Sequence, residues 1–218
     1  MRIDADVVAE LTPKDVVEAI PQILGRLHIE TLVHGNLYKD DALKMAELAE
    51  TTFKPKPLTP EERRSPRAML IPRSSNTAIQ IDVPNPSNVN SAIEHLCYVG
   101  DINDQALRVR LFLYAQILEE PCFNTLRTKE QLGYIVGSAT RRTIGMGSLR
   151  IIVQSERDAA FVEQRIEAFL RETLTELLEK MSEEDFEREK TSLINKKLEE
   201  RKNAWEECVS LSLRPLLL

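Results

Sequence analysis

The 218-residue sequence is short of the features that announce most chemistries. Its three cysteines, Cys97, Cys122 and Cys208, are odd in number and show no CxxC spacing. They argue for reduced thiols in a cytosolic chain rather than a disulfide framework. Only three histidines occur, at His28, His34 and His95. On a strand, His28 and His34 would stand roughly 20 Å apart, and on a helix they would face different sides, so they cannot share a metal ion. His95, on a candidate strand, reads as a structural histidine. Aromatics make up only 5% of the chain, which leaves the core to Leu, Ile, Val and Ala. The net charge of -6 argues against nucleic acid as a partner, since phosphate neutralisation needs the opposite sign.

No apolar run approaches the roughly 20 residues of a membrane span. The N-terminus, MRIDADVVAEL, is acidic and lacks an apolar centre, unlike a secretory signal or a mitochondrial presequence. There is no G-x-S-x-G elbow and no phosphate-binding G-x-x-x-x-G-K-[ST]. Gly145-Met146-Gly147 lacks the rest of a dinucleotide fingerprint and fits a flexible hairpin. The expectation is a soluble cytoplasmic protein.

What is present is a foldable chain, 42% hydrophobic, with charges of both signs mixed along it. Thr12-Pro13-Lys14-Asp15 opens a first helix with a cap, a proline at the first position and an acid at the positive end of the dipole. Val16, Val17, Ile20, Ile23 and Leu24 form its apolar face, and Pro21 is expected to kink or split it. Residues 28 to 34 read as a strand and Gly35-Asn36 as a turn. A second helix starts at Asp40 or Asp41 and runs to about Phe53. Four prolines among charged residues in KPKPLTPEERRSP, residues 54–66, then mark a linker.

Beyond the linker, residues 67 to 83 and 91 to 99 are candidate strands around the turn cluster Pro84-Asn85-Pro86-Ser87-Asn88. A helix from Asp101 or Asn103 carries Leu107, Leu111, Tyr114, Ala115 and Leu118. A short helix over Pro121 to Gln131, strands at about 133–141 and 147–155, and a long helix from Asp158 follow. Ser182-Glu183-Glu184-Asp185 caps a last charged helix to about residue 202. Hairpin strands beside separate amphipathic helices predict an α+β fold, helices packed on one face of a mainly antiparallel sheet.

The most informative stretch is Pro121 to Arg142, PCFNTLRTKEQLGYIVGSATRR. Gly133 is expected to mark the turn into the β-prone Tyr134-Ile135-Val136 through its backbone freedom. Arg127 and Tyr134, on either side of that turn, could hydrogen-bond the carbonyls of an extended peptide. They also fit a surface cation and a strand residue at the rim of the core. Arg141 and Arg142 could extend a positive rim around Arg127, or belong to mixed surface charge. Cys122 fits a small buried residue, with a reactive thiol near Arg127 as the alternative.

This run closely resembles the C-terminal half of the insulysin and pitrilysin family of inverted-motif zinc peptidases. Leu27-His28-Ile29-Glu30-Thr31-Leu32-Val33-His34-Gly35-Asn36 resembles a strand of the third of that family's four homologous domains. The segments from Gly147 to Glu156 and from Arg165 to Leu170 resemble parts of the fourth. The resemblance covers roughly Leu11 to Lys202. It implies the two-layer fold of mitochondrial-processing-peptidase-like metallohydrolases, incomplete here at both ends. Residues 1–56 would be the end of a preceding homologous domain and 57–66 the linker. Residues 67–203 would be a truncated C-terminal-lobe domain, followed by a divergent tail over 204–218.

The family's zinc motif, His-x-x-Glu-His, is absent from the sequence. The resemblance therefore implies that zinc, its ligands and the general base belong to an N-terminal lobe, with no metal ligand or cofactor in this chain. It also implies that Arg127 and Tyr134 contribute to the substrate site from the C-terminal side. The expected partners are peptide substrates and that catalytic lobe, and the chain alone is expected to be catalytically silent. A stand-alone peptide- or protein-binding module is the alternative, and a truncated reading frame is the expected origin of the tail.

Overall fold

A computed structural model describes residues 5–63, 71–72, 74–143 and 145–212. The chain divides into two compact units, Met1–Ser65 with Glu200–Leu218 and Pro66–Glu199.

The first unit opens with helices α1 (Ala5–Glu10) and α2 (Pro13–Leu24). Thr12 caps α2 reciprocally: its hydroxyl accepts the Asp15 amide at 3.4 Å, while the Asp15 carboxylate accepts the Thr12 amide at 2.7 Å. Hydrogen bonds from the Thr12 hydroxyl and then its amide hold the Asp15 carboxyl below its ordinary range. Of the expected kink or split at Pro21, the split does not occur: Pro21 lies inside α2 without ending it. Strand β1 (Arg26–Leu27) follows, then α3 (Lys39–Phe53) and β2 (Lys56–Pro57), which pairs with β1 in parallel.

The strand expected over 28–34 does not form. Its alternating residues have strand propensity, but β2 offers a partner for only two residues, and an unpaired strand leaves its backbone groups unsatisfied. None of residues 7–63 is buried, and the apolar side chains of Val16, Val17, Ile20 and Ile23 on α2 are exposed.

The second unit is built on strand β3 (Ser91–Asp101) and helix α4 (Gln105–Cys122), whose first amides are capped by Asp104 at 2.9 and 3.1 Å. A π-helical turn, Phe123–Lys129, continues α4 without a break, where a separate short helix was expected. Strands β4 (Ile135–Thr143) and β5 (Met146–Ser155) form the hairpin read from the sequence. The sheet is antiparallel in the order β3-β5-β4.

Helix α5 (Ala159–Ala168), capped by Asp158, passes through a second π turn, Phe169–Thr173, into α6 (Leu174–Lys180). Ser182 caps α7 (Glu183–Leu198). Helix α8 (Ala204–Ser212) belongs to the first unit, where His34 Nε2 lies 3.1 Å from the Glu207 carboxylate.

The strand expected over 67–83 is not seen: residues 71–72 and 74–83 are irregular, and residues 67–70 and 73 lie outside the described residues. Ile79 and Ile81, at 83% and 81% exposure, bury nothing that would hold a strand in place. The core gathers on one face of the sheet. Val136, Leu149, Ile151 and Val153 meet Leu118, Cys122 and Leu126 from α4 and its π turn, and Val162, Ile166, Phe169 and Leu174 from the helices after β5. Each such side chain contributes roughly 1.5–3 kcal/mol on burial. The fold is the predicted α+β arrangement of helices on one face of an antiparallel sheet.

Candidate functional site

The π turn after α4 determines how the site is placed. A π turn presents residues four and five apart on one side, and here it stacks Phe123 and Arg127. The Arg127 guanidinium carbon lies 4.8 Å from the Phe123 ring centroid and 5.1 Å from that of Tyr134, so the cation is held between two rings. Among the described residues the Arg127 guanidinium has no ion-pair or hydrogen-bond partner. Tyr134 is 84% exposed.

The segment that carries Tyr134 is pinned at four points. The Leu132 amide donates to the Leu126 carbonyl at 3.0 Å, and the Leu132 side chain is buried. The buried Ser155 hydroxyl donates to the Leu132 carbonyl and accepts from the Arg157 amide at 3.0 Å. Arg165 on α5 grips the Glu130 carboxylate with two bonds, at 2.7 and 2.8 Å. That hydrogen bonding holds the Arg165 guanidinium above its ordinary range.

The fourth point is Gly133, and it corrects the sequence reading. Gly133 has no positive φ; the left-handed residue of this turn is Gln131, at φ 51°. Glycine is needed at 133 because the backbone of Gln154 passes too close for any side chain. Beside this segment opens a cleft of about 470 Å³, bordered by Asn90, Gln131, Gly133, Tyr134, Gln154 and Arg157.

The structure brings Arg127 and Tyr134 together and leaves the other two arginines apart from them. Arg141 is seven residues beyond Tyr134 along β4, roughly 20 Å away at strand rise. It pairs with Glu94 on β3, which Arg150 also approaches at 3.7 Å. Arg142, next in the strand, points to the opposite face. There it lies near Lys197, whose ammonium burial, with the charges of Lys196 and Arg142, draws below the ordinary lysine range. The expected continuous rim of Arg127, Arg141 and Arg142 is not assembled.

Cys122 is fully buried, and burial pushes its thiol up to about 11, slightly offset by the Ser138 hydroxyl. That suits the packing reading. His28 contacts Glu30 at 2.9 Å. Among the described residues no three His, Cys, Asp or Glu side chains converge as a metal ion would need. None of the helices among them is long and apolar enough to cross a membrane.

Sequence reasoning missed Phe123, Glu130, Ser155 and Arg165. Phe123 lies four residues before Arg127, a spacing that could have shown the stack. The partners of Glu130 and Leu132 come from 35 and 23 residues away, and no local pattern announces them.

Residues 113–211 match the family described as PQQ synthase PqqF-like, C-terminal lobe domain 4. The chain is 37% identical over 209 residues to the putative zinc protease mug138 of Schizosaccharomyces pombe, covering 96% of this chain and 22% of that protein. It is 41% identical over 193 residues to the insulin-degrading enzyme of Homo sapiens, covering 87% and 18%. The A-factor-processing enzyme of Saccharomyces cerevisiae is 36% identical, with 92% and 20% covered. The chain thus spans about a fifth of the length of the curated relatives it matches. Among solved structures, the crystal structure of pitrilysin shares the fold at a TM-score of 0.68 and 21% identity, covering 97% of this chain and 22% of that one.

Proposed function

We propose a role for this chain as a member of the insulysin and pitrilysin family, to whose C-terminal lobe it belongs: it supplies a peptide-binding surface to a zinc metallopeptidase without carrying the catalytic metal. The observation that supports this reading is the Phe123–Arg127–Tyr134 stack, whose Tyr134 also borders the open cleft. A guanidinium held between two rings keeps its N–H edges free to donate to a carbonyl or carboxylate. Stacking fixes its direction in advance, which lowers the ordering cost of binding. The exposed Tyr134 phenol adds a second donor.

An extended peptide presents a carbonyl at every residue, and donors held in place next to the scissile bond would orient it for attack by water. In this reading zinc, its ligands and the general base are carried by an N-terminal lobe. Closure of that lobe on this one encloses the substrate. The chain alone is then silent towards peptides, and added zinc leaves it so.

The test is co-expression with an N-terminal lobe carrying His-x-x-Glu-His. Recovery of peptide cleavage that Arg127→Ala weakens supports the reading. Peptide binding without turnover in the mixed lobes would instead favour a binding module that works without a catalytic partner.

A further inference from the structure

Strand β4 is an open edge of the sheet: in the order β3-β5-β4 it has β5 on one side and, among the described residues, no strand on the other. The register shows which of its backbone groups are left over. The Ser155 carbonyl accepts from the Ser91 hydroxyl of β3, so Gln154 turns its own carbonyl the other way, toward β4, where it crowds Gly133. Gln154 stands opposite Ile135, and Ser148 stands opposite Arg141, whose carbonyl accepts the Ser148 hydroxyl. Ile135, Gly137, Ala139 and Arg141 therefore direct their amides and carbonyls to β5. Val136, Ser138, Thr140 and Arg142 direct theirs outward, where no backbone group of a described residue bonds them.

Sheets normally blunt such an edge with charges, proline or a bulge. The other edge, β3, carries Glu94 and His95 and a bulge between Tyr98 and Gly100. In β4 the run Ile135-Val136-Gly137-Ser138-Ala139-Thr140 has no charge and no proline, and it pairs without a shift of register. A Cβ on Gly137 would meet nothing within 4 Å.

The open edge continues the Arg127 site. Helix α4 packs mainly against β4, its π turn meets β4, and Tyr134 is the residue before the strand. We propose that β4 takes an extended acidic peptide as an added strand, paired to the outward backbone of Val136, Ser138, Thr140 and Arg142. Such pairing gives affinity with little demand on side-chain sequence. The proposal rests on the peptide-binding reading of Arg127 and adds how the rest of the peptide is held.

Charge selects this occupant. Arg127 before the strand and Arg142 at its far end have no ion-pair partner among the described residues, so carboxylates at either end of a peptide are favoured. A second copy of the chain is disfavoured. Two β4 edges paired antiparallel about their midpoints would bring Arg142 of each copy towards Arg127 of the other, like charges at both ends.

The experiment follows amide hydrogen exchange by NMR in the full chain, with and without an acetylated, amidated octapeptide of Ala, Ser and Glu. At about ten times Kd, the amides of Val136, Ser138, Thr140 and Arg142 should exchange roughly tenfold more slowly. Those of Ile135, Gly137, Ala139 and Arg141, already bonded to β5, should not change. Thr140→Pro removes one outward donor while sparing the ladder to β5, and should weaken the peptide roughly tenfold. The wild-type exchange pattern decides even where this variant does not fold. Binding without alternating protection overturns strand addition, and the Arg127 reading then stands if Arg127→Ala weakens that binding. Alternating protection that Arg127→Ala leaves intact supports strand addition and removes Arg127 from the site. Alternating protection that grows with protein concentration in the absence of peptide overturns the proposal in favour of a second copy, and no binding at all overturns both readings.

Discussion

Gly133 lies so close to Gln154 that a Cβ on it would fall 1.7 Å from the Gln154 carbonyl oxygen and 2.8 Å from the carbonyl carbon. Both obstacles are backbone, at the paired end of β5, and neither can swing aside as a side chain would. The loop bearing Tyr134 is thereby locked to the sheet, and the core that anchors β5 also sets where Tyr134 stands.

Gly133→Ala should therefore destabilise the fold by about 1–3 kcal/mol, the range of a forced backbone shift. Gly137→Ala on the following strand, β4, meets nothing within 4 Å and should be neutral or slightly stabilising, since alanine restricts the unfolded chain. Urea unfolding of the pair checks this. Equal midpoints would show that the loop is not pinned at Gly133.

Tyr134 can be changed without cost to the fold, because it is 84% exposed. Tyr134→Phe keeps the ring over Arg127 and should leave stability within about 0.5 kcal/mol of wild type. Tyr134→Ala should lose only the exposed cation–π contact, about 0.5–1 kcal/mol. Peptide affinity should fall in both, which thermal melts alongside titrations would separate from unfolding.

Cys122 should be inert in the native state. Its thiol is pushed up to about 11 by burial, so the thiolate that reacts is scarce at neutral pH. The sign of the linkage follows. A thiol pKa raised on folding favours the folded state fully below the ordinary value of 9.0, and that contribution disappears as pH rises through about 11. Mass mapping with a thiol reagent should label Cys122 only after unfolding. Between pH 9 and 11 the wild type should lose stability relative to Cys122→Ala.

The helix starts carry the sheet's outer layer, and two of them rest on aspartate caps. Asp104 accepts two amides of α4, and Asp158 accepts the Ala160 amide of α5 at 2.9 Å and that of Phe161 at 3.4 Å. Either Asp→Ala substitution should cost about 1 kcal/mol. The Asn variants should retain most of it, as denaturant curves would show.

The Asp158 cap was legible in the sequence because capping is local, an Asp or Thr and the two or three amides that follow, whereas the cap of α4 is Asp104 and not the expected Asp101 or Asn103. The hairpin Ile135–Ser155 and the apolar faces of α4 and α5 were legible for the same reason, since period and turn chemistry lie within one segment. The strands expected at 28–34 and 67–83 were misread because alternation states a preference and cannot supply a partner. The two π turns were hidden, as an extra residue per turn leaves little trace in an apolar pattern. At the site, Arg127 and Tyr134 were singled out by the resemblance and by donor chemistry. The reason for Gly133 and the Glu130–Arg165 grip came from residues distant in sequence, which only the folded chain brings together.

The most direct measurement titrates a fluorescein-labelled unstructured peptide against the wild-type chain and against Arg127→Ala, following anisotropy and confirming equal melting of the two proteins. The expected result is saturable binding that Arg127→Ala weakens roughly tenfold, about 1.4 kcal/mol. Equal affinities for two equally folded proteins would contradict the account.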